Sequence, residues 1–179
     1  GIDEMGMLLL AHAVNDIRRE KEEVNSDEVF INVSIKGLPG GHSGADIHLN
    51  IPNAIRHLGF ILKEISTIYN EGKIAKIDGG FASNAIPMKA EALLAVSSSK
   101  IEEIKEIVRN YGQNHLISDK VALDVVSGNE LVFSKEDSNK VISFLTSIID
   151  GVNSYSTKYE GIVESSANIG VIATNGNEI

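Results

Sequence analysis

The chain has 179 residues, enough for one domain or two small ones, and 42% of them are hydrophobic, so a buried core is expected rather than disorder. Sixteen Lys+Arg against 25 Asp+Glu leave a formal charge of -9, which argues against nucleic acid or an anionic membrane as the main partner. The absence of cysteine excludes disulfides, thiolate–zinc sites and a cysteine nucleophile. No apolar run reaches the ~18 residues of a membrane span, and the opening Gly1-Ile2-Asp3-Glu4-Met5-Gly6-Met7 lacks the basic region of a signal peptide, so a soluble, acidic, cytoplasmic protein is expected.

Leu9, Leu10, Ala13, Val14 and Ile17 share one stripe and predict a helix over 5–20, running into the solvated charge run 18–23. A boundary is placed near 24. Val29, Ile31, Val33 and Ile35 alternate with Phe30, Asn32, Ser34 and Lys36, the period of a strand with one buried face. A glycine-rich loop follows over 37–44. Asn50 is read as the cap of the next helix, with Pro52 in its first turn. Apolar residues at helical spacing then run from Ile51 to Tyr69, and Gly72 stops them.

Two strands are expected over 73–82 and 89–97, around a turn containing Pro87. Ser99 and Glu102 have the spacing of a capping box, opening a helix with Ile101, Ile104, Val108 and Tyr111 on one face. A strand over 121–127 puts Val121, Leu123 and Val125 on one side. Ser134 and Asp137 are cap candidates for a helix that ends at Gly151. Residues 161–174 read as one strand, leading into the turn Asn175-Gly176-Asn177. The order from 29 to 127 is β-α-β-β-α-β, which makes the fold class α+β with a ferredoxin-like sandwich. Residues 131–179 look like part of a second such unit, following a first unit over 24–130. The hairpin signal near the last residue suggests a piece of a larger protein.

Of the five histidines, His57 and His115 are expected at the surface and His12 on the edge of the first helix. His42 differs, because glycines at 37, 40, 41 and 44 let the backbone around it turn tightly and approach a ligand. The loop lies between a strand and a helix, where unpaired backbone N–H groups favour an anion. Substrate or oxyanion contact by His42 is the simplest chemistry there. Other readings are an exposed loop histidine, a metal site at His42, Asp46 and His48, and a ferredoxin-like module that binds a small anion without catalysis. The loop lacks the Gly-Lys-Ser/Thr ending of a phosphate-binding P-loop.

The stretch Ser34-Ile35-Lys36-Gly37-Leu38-Pro39-Gly40-Gly41-His42-Ser43-Gly44-Ala45-Asp46-Ile47-His48 resembles the lid domain of aminoacyl-histidine dipeptidases. These belong with carnosinases and glutamate carboxypeptidases among the two-zinc metallopeptidases. Asp78-Gly79-Gly80-Phe81-Ala82-Ser83-Asn84-Ala85-Ile86-Pro87 and Gly161-Ile162-Val163-Glu164-Ser165-Ser166-Ala167-Asn168-Ile169-Gly170-Val171 are similar to two later blocks of that family, in order. The resemblance implies a lid that closes over a catalytic domain holding two divalent metal ions, zinc by type, and that hydrolyses Xaa-His dipeptides. It implies that His42 stabilises the oxyanion and that Asn84 holds the substrate's carboxylate. None of the family's metal ligands has a matching position, so the fragment alone is expected to be metal-free and inactive. The implied partners are a dipeptide, the catalytic domain of the same longer chain and a second copy in a homodimer. A doubled lid would instead let His42 act within its own chain.

Overall fold

The computed structural model describes residues 23–179. The helix expected over 5–20, and His12 on it, lie outside the described residues. The strands are β1 (Glu28–Ile35), β2 (Gly41–His42), β3 (Lys73–Gly80), β4 (Ala85–Ile86), β5 (Ala90–Ser97), β6 (Val121–Val126), β7 (Gly151–Tyr155), β8 (Val163–Ala167) and β9 (Val171–Ile172). The helices are α1 (Ala54–Ile68), α2 (Ile101–Asn114) and α3 (Lys135–Ser147), with single 3-10 turns at Ile47–Leu49 and Ser98–Lys100.

Among the described residues the main sheet runs β6-β1-β5-β3-β9, and each of its pairings is antiparallel. Taking β1, β3, β5 and β6 as the four strands of the unit, the spatial order is fourth, first, third, second. That is the ferredoxin-like arrangement expected from the β-α-β-β-α-β reading. The alternation in β1 does what its period requires: Ile31, Val33 and Ile35 are fully buried under the helices. Phe30 turns to the opposite face, where it joins a small cluster with Ala75, Ala95 and Val132. α1 lays Ile55, Leu58, Ile61, Leu62 and Ile65 into the main core, and α2 adds Ile104, Val108 and Tyr111.

Residues 131–179 fold onto this unit and close the outer edge of β3. An uncovered strand edge is a row of unmatched donors and acceptors that invites pairing with other chains. Here the Ile74 N–H donates to Ser138 Oγ (2.9 Å), and the Ile74 carbonyl accepts from Phe133 N–H (2.8 Å). Thr174 Oγ1 both accepts from Ile77 N–H and donates to its carbonyl, and β9 pairs with Gly79 and Gly80. α3 lies against α1 at Gly59, where a Cβ would stand 2.8 Å from Leu145 Cβ. Arg56 Nη1 donates to the carbonyls of Leu145 and Ile148 at 2.6 Å each, satisfying groups that the end of α3 leaves without a helical partner. β7 and β8 form a separate hairpin.

A buried ion pair joins the first residues of β1 and β3. Lys73 Nζ lies 3.0 Å from Glu28 Oε2, and the two side chains are only 9% and 3% exposed. The Asn25 backbone N–H donates to the same carboxylate oxygen at 2.7 Å.

Several boundaries differ from the sequence reading. α1 is capped by Asn53, whose Oδ1 accepts from the Ile55 and Arg56 N–H groups; Asn50 instead ends the 3-10 turn in the left-handed region at φ 53°. The reason is Pro52, which disfavours a helical backbone at the residue before it and so keeps Ile51 out of the helix. The capping box at Ser99 and Glu102 does not form. A 3-10 turn precedes α2, and Ser99 Oγ bonds Ser97 Oγ at 2.9 Å. Ser134 does cap α3, accepting from the Asp137 N–H. The strand expected over 161–174 is broken into β8 and β9 by residues 168–170. Val125, on the same side of its strand as Val121 and Leu123, is 51% exposed at the far end of the edge strand β6. Asn175 and Glu178 exchange two backbone hydrogen bonds across Gly176 and Asn177, as the turn signal predicted.

His57 is not a surface residue. It is half-buried, with Nδ1 2.8 Å from the Tyr111 hydroxyl and its ring edge-on to both Tyr111 and His115. Burial, and then the neighbouring His115, hold its pKa below the ordinary 6.5. The unfolded chain therefore takes up a proton at His57 before the folded one does. Stability stands at its full value above pH 6.5 and falls as the pH drops toward the folded-state value. Chemical denaturation at pH 7.5 and 5.5 checks this: the midpoint is lower at 5.5, and His57→Gln reduces the difference.

Candidate functional site

The glycine loop leaves β1 at the end of the sheet where β3 also ends and β5 begins. Leu38 anchors it: the side chain is buried and its N–H donates to the Met88 carbonyl. Gly40 has φ 70°, and a Cβ there would lie 2.4 Å from Met88 Cγ, so both the turn and the close approach require glycine. The loop then forms β2, which pairs antiparallel with β4; His42 is opposite Ala85 and Gly41 opposite Ile86. One step further, the Ser43 N–H donates to the Asn84 carbonyl at 2.9 Å. Two candidates 42 positions apart in sequence are thereby set on adjoining backbones, and both residues are exposed.

The His42 ring is fixed by its own loop. Nδ1 accepts from the Gly44 N–H at 3.0 Å and the Ala45 N–H at 3.1 Å. A nitrogen that accepts two backbone N–H groups carries no hydrogen, so in the neutral ring the proton sits on Nε2. Gly44 makes room for this, since a Cβ there would stand 3.2 Å from the ring's Cε1. Asp46 locks the base of the turn: its Oδ2 accepts from the His42 N–H at 2.8 Å, and its own N–H donates to the His42 carbonyl at 2.8 Å. What the loop presents is one N–H donor of defined tautomer on an exposed ring. Such a group suits developing negative charge on an oxygen.

The same geometry disposes of the metal reading. Asp46 is turned onto backbone and Nδ1 is occupied by two N–H donors. Among the described residues no group of three or more His, Asp or Glu side chains is placed to hold a metal ion. The arrangement of His42 and Asp46 does not fit a metal centre.

Behind the exposed pair lies a polar network that sequence reasoning missed. Asn53, only 3% exposed, donates from Nδ2 to Asp150 Oδ1 (2.9 Å), the Ile169 carbonyl (3.1 Å) and Asn168 Oδ1 (3.4 Å). Asp150 Oδ1 also accepts from the Ile169 N–H at 3.0 Å. Burial pushes the Asp150 carboxyl above its ordinary range, although these hydrogen bonds and the Arg56 charge pull the other way. The one usable signal was Asn53 as an N-cap; nothing local in sequence ties it to partners about a hundred residues away.

The glycine loop with its oriented histidine thus sits on a ferredoxin-like unit whose β3 edge is closed by residues 131–179. Residues 31–115 match the peptidase dimerisation domain. It is 28% identical over 176 residues to the cytosol non-specific dipeptidase of Escherichia coli (strain K12), covering 92% of this chain and 35% of that protein. It superposes on the aminoacylhistidine dipeptidase of Vibrio alginolyticus with a TM-score of 0.84 at 27% identity, covering 91% of this chain and 34% of that one. The chain spans about a third of the length of the relatives it matches. No helix among the described residues is long and apolar enough to cross a membrane.

Proposed function

We propose that this chain is the lid of a longer cytoplasmic metallodipeptidase that cleaves Xaa-His dipeptides. His42 supplies the oxyanion donor and Asn84 a contact to the substrate's free carboxylate. The observation that carries the reading is the acceptance of two backbone N–H groups at His42 Nδ1, which leaves Nε2–H as a fixed donor on a strand whose backbone adjoins that of Asn84. A donor already oriented before the reaction needs no reorganisation when the carbonyl oxygen gains charge. The exposed Asn84 amide, on the adjoining backbone, provides N–H donors for a carboxylate and so sets where the scissile carbonyl falls.

The two divalent metal ions implied by the family, zinc by type, belong to a catalytic domain outside residues 24–179. The roles of His42 and Asn84 are those of donors toward the substrate, not of metal ligands. That catalytic domain and a second copy of the chain are the partners. The segment alone is inactive, because it presents a donor with no nucleophile beside it.

The test uses the longer enzyme with a Xaa-His dipeptide and its C-terminal amide. The free acid is cleaved with a KM roughly tenfold lower than the amide, the worth of one charge-assisted hydrogen bond. Asn84→Ala removes that preference. Failure to cleave either compound ends the dipeptidase reading, and a preference untouched by Asn84→Ala ends the role of Asn84.

A further inference from the structure

The strand pair that carries the site is too small to hold itself. β2 and β4 share two residue pairs, and an isolated two-stranded ribbon is marginal in water. Beside the Leu38 anchor, Asn168 braces it from the far side of the chain. Its Nδ2 lies 2.9 Å from the Ala85 carbonyl and 3.4 Å from the Ser83 carbonyl, so one side-chain amide bonds the residues on both sides of Asn84. The orientation of that amide follows from α1. Asn53 Oδ1 is committed to the helix N–H groups of Ile55 and Arg56, which turns Asn53 Nδ2 outward as a donor. The Asn168 atom facing it must then be the oxygen, and its nitrogen faces the loop.

The turn bearing Asn168 is seated directly on the loop. A Cβ at Gly170 would stand 2.7 Å from both Ser83 Cα and the Ser83 carbonyl oxygen, and one at Gly80 would stand 1.9 Å from the Gly170 carbonyl oxygen. Ile169 is buried in the main core, and Asp150 holds its N–H, so the turn has a rigid base.

We infer that Asn168 is the positioning residue of this site, fixing the 83–85 loop and through it the Asn84 side chain and the strand of His42. The inference rests on the proposed substrate role of Asn84 for its kinetic consequence and on the hydrogen bonds alone for its structural one. The two are tested separately. In the 179-residue chain, Asn168→Asp keeps the shape and loses the donors, and Asn168→Ala removes the amide without adding charge. Backbone hydrogen exchange at Ser43, whose N–H bonds the Asn84 carbonyl, then speeds up about tenfold or more, the equivalent of one lost hydrogen bond. Exchange in β1 and β5 stays as in the parent chain and certifies the fold.

In the longer enzyme both variants raise KM about tenfold, matching Asn84→Ala, and lower kcat by less than His42→Ala does, as far as the strand of His42 loosens with the loop. Unchanged Ser43 exchange in both variants overturns the inference, whatever Asn84 does. Faster exchange with an unmoved KM, while Asn84→Ala raises KM, overturns it equally, since the loop is then loosened without consequence for substrate. An unmoved KM in Asn84→Ala counts against the substrate reading alone, and the Ser43 measurement still decides whether Asn168 holds the loop.

Discussion

Replacing His42 by alanine lowers kcat of the longer enzyme by about 10²–10³-fold and leaves KM nearly unchanged, the loss typical of one oxyanion donor. The asymmetry comes from when the charge exists. The substrate's carbonyl oxygen is neutral when bound and anionic only at the tetrahedral stage, so a group that meets only the later state contributes to kcat and not to ground-state binding. His42 is exposed, and its removal returns the Gly44 and Ala45 N–H groups to water, so the fold survives. Metal content measured in both proteins separates this outcome from loss of the metals. An unchanged kcat would leave His42 as a loop residue and remove the mechanistic half of the reading.

The second large effect is on stability. Lys73→Met destabilises the chain by about 3–5 kcal/mol, because it strands the Glu28 carboxylate in a place from which water is excluded. For a domain of this size that is a fall of roughly 6–20 °C in Tm. Glu28→Gln combined with Lys73→Met recovers most of the loss, since the pair's attraction and its desolvation largely offset each other once both charges are gone. Thermal unfolding of the two variants decides it. A single variant within about 1 kcal/mol of the parent chain would mean that water reaches the pair, as it does for surface ion pairs.

How far the sequence was legible depends on how local each signal is. The ferredoxin-like order could be read because β1, α1 and α2 repeat their apolar residues at periods of 2 and 3.6 over several turns. The site loop stood out for its four glycines and one histidine. What could not be read was whatever depends on distant partners. β7, whose residues are at most half-buried, has no period to detect. The break between β8 and β9 exists because Gly170 must seat on Ser83 and Asn168 must reach the 83–85 loop, facts held in another part of the chain. Placing the cap at Asn50 instead of Asn53 was a local error, and the restriction that Pro52 puts on Ile51 was available to correct it. His57 looked solvated because a helix's polar face says nothing of the Tyr111 ring that a second helix brings to it.

The spacing of the network around Asn53 also sets an order of events during synthesis. The glycine loop and Asn84 leave the ribosome early, but the residues that hold them, Asp150 and Asn168, lie 97 and 115 positions beyond Asn53. At the usual elongation speed of ~5–20 residues per second, the His42 loop waits on the order of 10 s for its clamp. Once Val126 has been made the four-strand unit has all of its own strands, while the 83–85 loop still lacks its Asn168 contacts. The sheet is thus complete in sequence before the loop at its end is, and the loop's hydrogen bonds arrive with residues 150–168.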